Sequence, residues 1–281
     1  MAKRKTPAKK RTSAGKRKKR RTGRGRILFT ILAAAVVIYG AAAGYLYLNQ
    51  KQLIYHPTEG VLPTGERPIE ITSGEAVLRG WEVNPGREHA IIYFGGNAER
   101  LENSMPDYRD LFSQHTIYFV NYRGYGESTG NPTEENLFHD SEAIYDAVSP
   151  NHENITLIGR SLGSGVAVHL ASVRSVHQLV LVTPFARLAD ASGTIGRYFP
   201  VGLLLRDRYL SVEKAPEISA PTLVIIAEKD DMIPRESSEA LLSAFPEGIA
   251  SAAVIQGAGH NDIQEYTQFF MRIRDFQITG R

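Results

Sequence analysis

A serine between two glycines is the residue of this sequence best suited to nucleophilic chemistry. Ser161 is the centre of a G-x-S-x-G pattern at residues 159–163, after a β-branched run at 155–158 and before an apolar stretch at 162–173. Between a strand and a helix, this pattern forms a sharp turn that exposes the serine hydroxyl, and the glycines leave room for the turn. The pattern also occurs in ordinary glycine-rich turns, so it predicts a nucleophile only together with residues that activate it.

A hydroxyl is a poor nucleophile near neutral pH unless a general base lies beside it. Of the eight histidines, His260 is the candidate, because it lies in a glycine-containing turn at residues 257–262, just after the last predicted strand. The other seven lie in predicted helices, at strand starts or in loops, where a surface or structural role is expected. We therefore predict that His260 is the base.

The acid that orients the histidine should lie between the serine and the histidine, at the end of the preceding strand. Asp230 and Asp231 both qualify. We prefer Asp230, although spacing alone does not separate the two. Asp262 is too close to His260 in sequence for this role, and we expect it to be a solvated loop residue.

Hydrolysis through an acyl intermediate also needs donors for the oxyanion. The backbone N–H of Leu162, directly after the nucleophile, should be one donor, and the N–H of Asn97, in the turn at residues 95–98, the other. No cofactor or metal is expected. The chain has no cysteine, which excludes disulfides, thiolate metal sites and a cysteine nucleophile. Residues 121–128 lack the pattern of a phosphate-binding loop and are expected to form a flexible loop at the rim of the site.

The elements that must position these residues alternate along residues 53–281, which we predict to be one α/β domain. Apolar runs without polar alternation indicate strands covered on both faces of a mostly parallel, doubly wound sheet. Asn131, with Pro132 after it, is expected to cap the second helix. Residues 186–219, rich in glycine and proline, are expected to form a cap insertion over the site. The predicted strands are 69–72, 76–83, 90–94, 116–121, 155–158, 179–183, 222–226 and 252–255, and the predicted helices are 98–113, 133–148, 162–173, 235–245 and 264–278.

The N-terminus has a different composition. Residues 1–26 contain 14 of the 33 basic residues and no acidic one, whereas residues 27–281 carry 30 acidic and 19 basic residues. Residues 27–48 are uncharged and as a helix would extend about 33 Å, enough to span a bilayer. We predict a disordered cytoplasmic tail over 1–26, a transmembrane signal-anchor over 27–48 and, from the positive-inside rule, a catalytic domain on the opposite, extracytoplasmic side.

Two alternatives concern this N-terminal region. A cleaved signal peptide is disfavoured, because the uncharged stretch continues past the small residues at 41–43. Nucleic-acid binding by the basic tail is also disfavoured, because the domain is acidic and the tail directly precedes the apolar stretch. Contact between residues 1–26 and anionic lipid headgroups is the simpler interpretation.

Several segments resemble a membrane-anchored branch of the α/β hydrolases, close to the α/β-hydrolase domain-containing proteins 13 and 17. The resemblance covers about residues 50–281 and implies an α/β-hydrolase fold, an N-terminal anchor and a Ser–His–Asp triad at Ser161, His260 and Asp230. It supports Asp230 over Asp231. The segments that carry it are LIYHP at 53–57, GNA at 96–98, NYRGYG at 121–126, GRSLGSG at 159–165, LLRDRY at 204–209 and GHND at 259–262.

These observations predict a serine hydrolase that cleaves a carboxylic ester or thioester of a small or lipid-like acyl substrate. Two alternatives remain open from the sequence. One is a non-catalytic α/β-hydrolase fold that serves as an interaction protein. The other is an acyltransferase or serine peptidase that uses the same three residues.

Overall fold

The computed structural model describes residues 21–60 and 65–279. Its centre is an eight-stranded sheet of order β1-β2-β4-β3-β5-β6-β7-β8. The pairs β1–β2 and β2–β4 are antiparallel, and every other neighbouring pair is parallel. The strands are β1 (Arg67–Ser73), β2 (Ala76–Val83), β3 (His89–Phe94), β4 (His115–Val120), β5 (Asn154–Arg160), β6 (Gln178–Val182), β7 (Thr222–Ala227) and β8 (Ala250–Ile255).

Helices cover both faces of this sheet, which confirms the doubly wound α/β prediction. The central strands β5, β6 and β7 are buried along nearly their whole length, so their sequences lack the polar alternation of a half-exposed strand. One buried cluster packs α3, α4 and α8 against the sheet, and a second packs α2 and α9. The helices in this part of the chain are α2 (Leu101–Leu111), α3 (Glu134–Val148), α4 (Leu162–Val173), α8 (Arg235–Ala244) and α9 (Thr267–Thr279).

The start of α3 differs from the prediction. Its N-cap is Thr133, whose side chain accepts a hydrogen bond from the Asn136 N–H at 3.2 Å. Asn131 therefore does not cap the helix. Pro132 precedes this cap, and the Glu134 carboxylate accepts hydrogen bonds from the backbone N–H groups of Arg208 and Tyr209.

Residues 186–219 contain three short helices, α5 (Gly193–Tyr198), α6 (Val201–Leu204) and α7 (Ser211–Lys214). None of the side chains of α5 or α6 is fully buried. These elements lie between β6 and β7, where the sequence analysis predicted a cap.

The N-terminal helix α1 (Arg21–Ile54) is longer than the predicted span of 27–48. Within Gly25–Ile54 it contains an 18-residue window with a mean hydropathy of 2.2, and it is long and apolar enough to span a membrane. The predicted disordered tail lies mostly outside the described residues, but residues 21–26 are helical. The chain divides into two compact units between residues 45 and 46.

Candidate active site

Ser161 lies in the turn between β5 and α4 with φ +51° and ψ −115°, a backbone conformation that residues other than glycine rarely adopt. Gly163 allows the close approach of the neighbouring loop, because a Cβ at this position would collide with the Phe94 and Gly95 carbonyl oxygens. A Cβ at Gly159 would likewise collide with α4. The glycines are therefore required by packing on both sides of the serine, as the G-x-S-x-G pattern predicted.

The structure brings His260 and Asp230 next to this serine. His260 Nε2 is 2.9 Å from Ser161 Oγ, and His260 Nδ1 is 2.8 Å from Asp230 Oδ2. The His260 and Asp230 side chains are only 3% and 6% exposed, so water competes little with these contacts. Asp231 is exposed and contacts neither residue through a hydrogen bond. The contact with His260 is thus made by Asp230 and not by Asp231, which spacing alone could not predict.

Backbone hydrogen bonds hold the two loops that carry His260 and Asp230. Asp230 Oδ1 accepts from the N–H groups of Met232 and Ile233 at 2.9 and 2.7 Å, which fixes the carboxylate. The Lys229 N–H donates to the Ala258 carbonyl at 2.8 Å, which ties the acid loop to the histidine loop. These bonds orient the imidazole toward the serine.

Asp262 is not the solvated loop residue that the sequence analysis expected. Its side chain is half-buried, and Oδ1 accepts from the Gly259 N–H at 2.6 Å. A carboxylate that accepts a hydrogen bond from a backbone N–H a few residues away in sequence closes a tight turn. Asp262 therefore shapes the turn that presents His260.

The two predicted oxyanion donors lie beside the serine. Leu162 is the first residue of α4, so its N–H lies at the positive end of the helix dipole. Asn97 lies in the loop after β3. Both residues line the same cavity as Ser161. Within residues 21–60 and 65–279, neither backbone N–H donates a hydrogen bond. We therefore keep both N–H groups as predicted donors for a substrate oxygen.

A buried ion pair connects the three loops of the site. Arg160 Nη1 lies 3.1 Å from Glu99 Oε2, and both side chains are nearly buried. The same Glu99 oxygen accepts from the Gly96 N–H at 2.6 Å, next to the Asn97 donor. Arg160, which directly precedes the serine, also donates to the His260 carbonyl at 3.4 Å. One charge pair thus contacts the oxyanion loop, the serine turn and the histidine loop.

Neutral donors complete the environment of Glu99. Its Oε1 accepts from the Tyr93 hydroxyl and from Ser104 Oγ, each at 2.8 Å. Burial, together with the Glu99 carboxylate, raises the pKa of Tyr93 well above its ordinary value, so the hydroxyl stays protonated and donates. Burial is the largest single effect and lowers the pKa of Arg160, but the charge and hydrogen bond of Glu99, together with Tyr93 and Tyr108, raise it by more, so the net shift of the pKa is upward. Four donors therefore surround the Glu99 carboxylate: the Tyr93 and Ser104 hydroxyls, the Gly96 N–H and the Arg160 guanidinium.

The Asn97 side chain joins the oxyanion loop to the residues that follow α1. Its Oδ1 accepts from the His56 N–H at 3.0 Å and from the Tyr125 hydroxyl at 2.8 Å, while Nδ2 donates to the Ile54 carbonyl. The Tyr122 hydroxyl also donates to the Gly95 carbonyl at 2.7 Å. Both tyrosines are buried, so residues 121–128 support the oxyanion loop from within the core and are not simply a loop at the rim.

A cavity of about 300 Å³ opens above the serine. Its walls are mostly apolar and carry no charged side chain, which is typical of a site for a small apolar ligand. Among the described residues, no three His, Asp or Glu side chains cluster as metal ligands would. The lining residues come from the end of α1 (Leu46, Gln50, Leu53, Ile54), from residues near the serine (His56, Asn97, Ser161, Leu162, Phe185, Met232, Ile233) and from the cap (Leu188, Ala191, Ser192, Ile195, Val201, Leu204, Leu205).

Known proteins share this sequence and fold, although no protein-family model matches the chain. An uncharacterized protein of Mycobacterium tuberculosis is 33% identical over 250 residues, which cover 83% of this chain and 88% of that one. The α/β-hydrolase domain-containing protein 17C of Xenopus tropicalis is 30% identical over 202 residues, covering 69% of this chain and 63% of that one. The chain belongs to the α/β-hydrolase family. The esterase Pf2001 of Pyrococcus furiosus has the same fold, with a TM-score of 0.66 at 20% identity over 80% of this chain and 98% of that one.

Sequence reasoning missed part of the site of this α/β hydrolase. It singled out Ser161, His260 and Asp230, and these three side chains lie together. It did not single out Glu99 or Arg160, whose roles depend on contacts across the sheet edge. An arginine inside the G-x-S-x-G pattern, flanked by a buried strand, was a usable signal, because a buried arginine requires an acidic partner.

Proposed function

We propose that this α/β hydrolase is a serine hydrolase that cleaves carboxylic esters or thioesters of acyl, lipid-like substrates. The observation that carries this proposal is the hydrogen-bonded chain from Asp230 through His260 to Ser161 Oγ, which ends in an apolar cavity. A serine with a positioned base and an orienting carboxylate is a general arrangement for acyl transfer.

Acylation begins when His260 Nε2 takes the proton of Ser161 Oγ, and the oxygen attacks the substrate carbonyl carbon. Asp230, which accepts from the Nδ1–H of His260, stabilises the imidazolium that forms. The Leu162 and Asn97 N–H groups donate to the carbonyl oxygen as it becomes negative. When the tetrahedral intermediate collapses, the imidazolium gives its proton to the leaving alcohol or thiol.

Deacylation repeats these steps with water as the nucleophile. His260 takes a proton from the water, the hydroxide attacks the acyl-serine, and Ser161 leaves with the proton returned by His260. The products are a carboxylic acid and the free enzyme. No other co-reactant is needed.

The acyl preference follows from the composition of the cavity. A wall without charged side chains favours the hydrocarbon part of a substrate, because burial of apolar surface provides the binding free energy. The structurally similar esterase of Pyrococcus furiosus supports an ester substrate.

The location that we propose follows from the N-terminal residues. A membrane-spanning α1 would keep the basic residues 1–26 in the cytoplasm and the hydrolase domain on the extracytoplasmic side. The basic residues would also contact anionic headgroups. Protease accessibility of the domain in intact cells measures this orientation.

A fluorophosphonate probe tests the proposed nucleophile. The wild-type protein should be labelled covalently, and Ser161→Ala should not be. Ser172→Ala is the matched control and should keep full labelling, because its hydroxyl only donates to the His169 carbonyl within α4. Labelling of a folded Ser161→Ala variant at the wild-type rate would refute the proposal.

A further inference from the structure

The cap exposes large apolar side chains near the opening of the cavity. Ile195, Tyr198 and Leu203 on α5 and α6 are 45%, 70% and 86% exposed. We call these three residues the cap rim. Ile195 lines the cavity itself, as do Val201 and Leu204 of the same two helices. A contiguous apolar patch on a protein surface indicates an interaction site.

The charge of this segment differs from that of the remaining domain. Residues 191–206 contain Arg197 and Arg206 and no acidic residue, whereas residues 27–281 as a whole carry 30 acidic and 19 basic residues. Apolar and aromatic side chains flanked by arginines are typical of surfaces that lie in the interface of an anionic bilayer. A partner that is itself apolar and anionic fits this composition.

The cavity and the cap residue Arg206 also contact residues that end the uncharged N-terminal stretch or follow it directly. Leu46 lines the same cavity as Ile195. The Arg206 guanidinium lies 4.4 Å from the centre of the Tyr47 ring, and its backbone N–H donates to Gln50 Oε1 at 2.7 Å. Residues 46–48 are the last three of the uncharged stretch 27–48. The cavity therefore lies where a membrane-spanning helix would leave the bilayer.

We propose that the cap rim docks on the lipid bilayer, with Ile195, Tyr198 and Leu203 in the interfacial region and Arg197 and Arg206 facing lipid phosphates. Docking itself requires no catalysis. Its consequence for the substrate rests on the proposed hydrolase function: the acyl chain enters the cavity from the membrane, so the substrate class is a membrane-resident acyl ester or thioester.

Lipid quenching of a new tryptophan measures docking directly. Full-length Leu203→Trp is reconstituted in vesicles of phosphatidylcholine and phosphatidylglycerol that contain lipids brominated near the headgroup. The single native tryptophan, Trp81, is 2% exposed and contributes the same background to all variants. Brominated lipids should quench the emission of the new tryptophan.

Val173→Trp is the matched control. Val173 is 45% exposed, like the cap rim, but it ends α4, about 18 Å along the helix from Ser161, at the opposite edge of the sheet. Its tryptophan should not be quenched. Equal emission of Leu203→Trp with and without brominated lipids would overturn the proposal, and a blue shift without quenching would instead indicate a protein partner on the cap rim.

A second variant separates docking from catalysis. Leu203→Glu should lower the rate on a long-chain ester embedded in vesicles about 10-fold, because the lost insertion of one leucine is worth roughly that factor. It should leave the rate on a soluble short-chain ester unchanged. An equal loss on both substrates, or no loss on either, contradicts membrane docking. If the wild type cleaves neither ester while lipid quenching is observed, the proposed function fails and the docking proposal stands.

Discussion

Two regions face the same cavity and are built differently. The loops at the carboxyl edge of the sheet hold Ser161, His260 and Asp230 through short hydrogen bonds, with His260 and Asp230 almost completely buried. The cap reaches the cavity through α5 and α6, helices of six and four residues that have no fully buried side chain.

This difference separates two physical requirements. The proton transfer that we propose requires donor and acceptor atoms within hydrogen-bond distance. Ion pairs and backbone hydrogen bonds that fix the edge loops would meet this requirement. Binding of a hydrocarbon chain is non-directional and requires only apolar surface. Substitutions in the edge loops should therefore change the rate of reaction, whereas substitutions in the cap should change which substrate is used.

The largest effect is expected at the carboxylate that contacts His260. Asp230→Asn should lower kcat about 10⁴-fold, because an amide at this position favours the wrong tautomer of the imidazole. Asp231→Asn should retain nearly full activity, since Asp231 is exposed. Steady-state kinetics on a soluble ester measure both variants, and the reverse order of effects would assign the acid to Asp231.

An intermediate effect is expected at the buried ion pair. Glu99→Gln should lower kcat about 100-fold with little change in KM, a loss comparable to that of one oxyanion donor, because Gly96 and Arg160 lose their charged partner. The rate of fluorophosphonate labelling should fall with kcat. A lower Tm with an unchanged kcat would mean that Glu99 only stabilises the fold.

The chemically matched control for this variant is Asp140→Asn. Asp140 on α3 forms another buried ion pair, with Arg123, and its carboxylate bonds to none of the three proposed catalytic side chains. Removal of one partner of a buried pair costs about 3–5 kcal/mol of stability. The Tm of thermal unfolding should therefore fall by a similar amount in both variants, and only Glu99→Gln should lower kcat.

The smallest effect is expected in the cap. Leu204→Ala enlarges the cavity without changing Ser161, so the ratio of kcat/KM for longer to shorter acyl esters should rise about 10-fold, the lower end of the discrimination that one methylene provides. Labelling by a small fluorophosphonate should stay at the wild-type rate. An unchanged chain-length profile would mean that the cap does not contact the acyl group.

The regular elements of the domain could be predicted from the sequence because burial determines their residue types. All eight predicted runs are strands and all five predicted helices exist, with ends that shift by a few residues. The start of α3 was wrong because two plausible caps, Asn131 and Thr133, lie two residues apart. The short cap helices α5 and α6 were not predicted, because six or four residues with several glycines carry no helical periodicity.

The site was predictable where local backbone shape carries the chemistry. The strand–turn–helix context of Ser161 and the glycine-containing turn of His260 are local features, so sequence alone singled out both residues. Only the tertiary structure distinguishes Asp230 from Asp231, because adjacent residues in a loop point in different directions. Glu99 and the Asn97 side chain were missed as contacts, since their partners lie up to 61 and 43 residues away.

By itself, the sequence determined which residues are buried, which elements they form and which turn exposes a serine, because hydrophobic pattern and glycine positions act over a few residues. Only the tertiary structure decided how separate loops meet. The Arg160–Glu99 pair, the selection of Asp230 and the cavity between residues 46–56 and the cap all arise from packing across the edge of the sheet. Such contacts depend on distances in space, which no short stretch of sequence encodes.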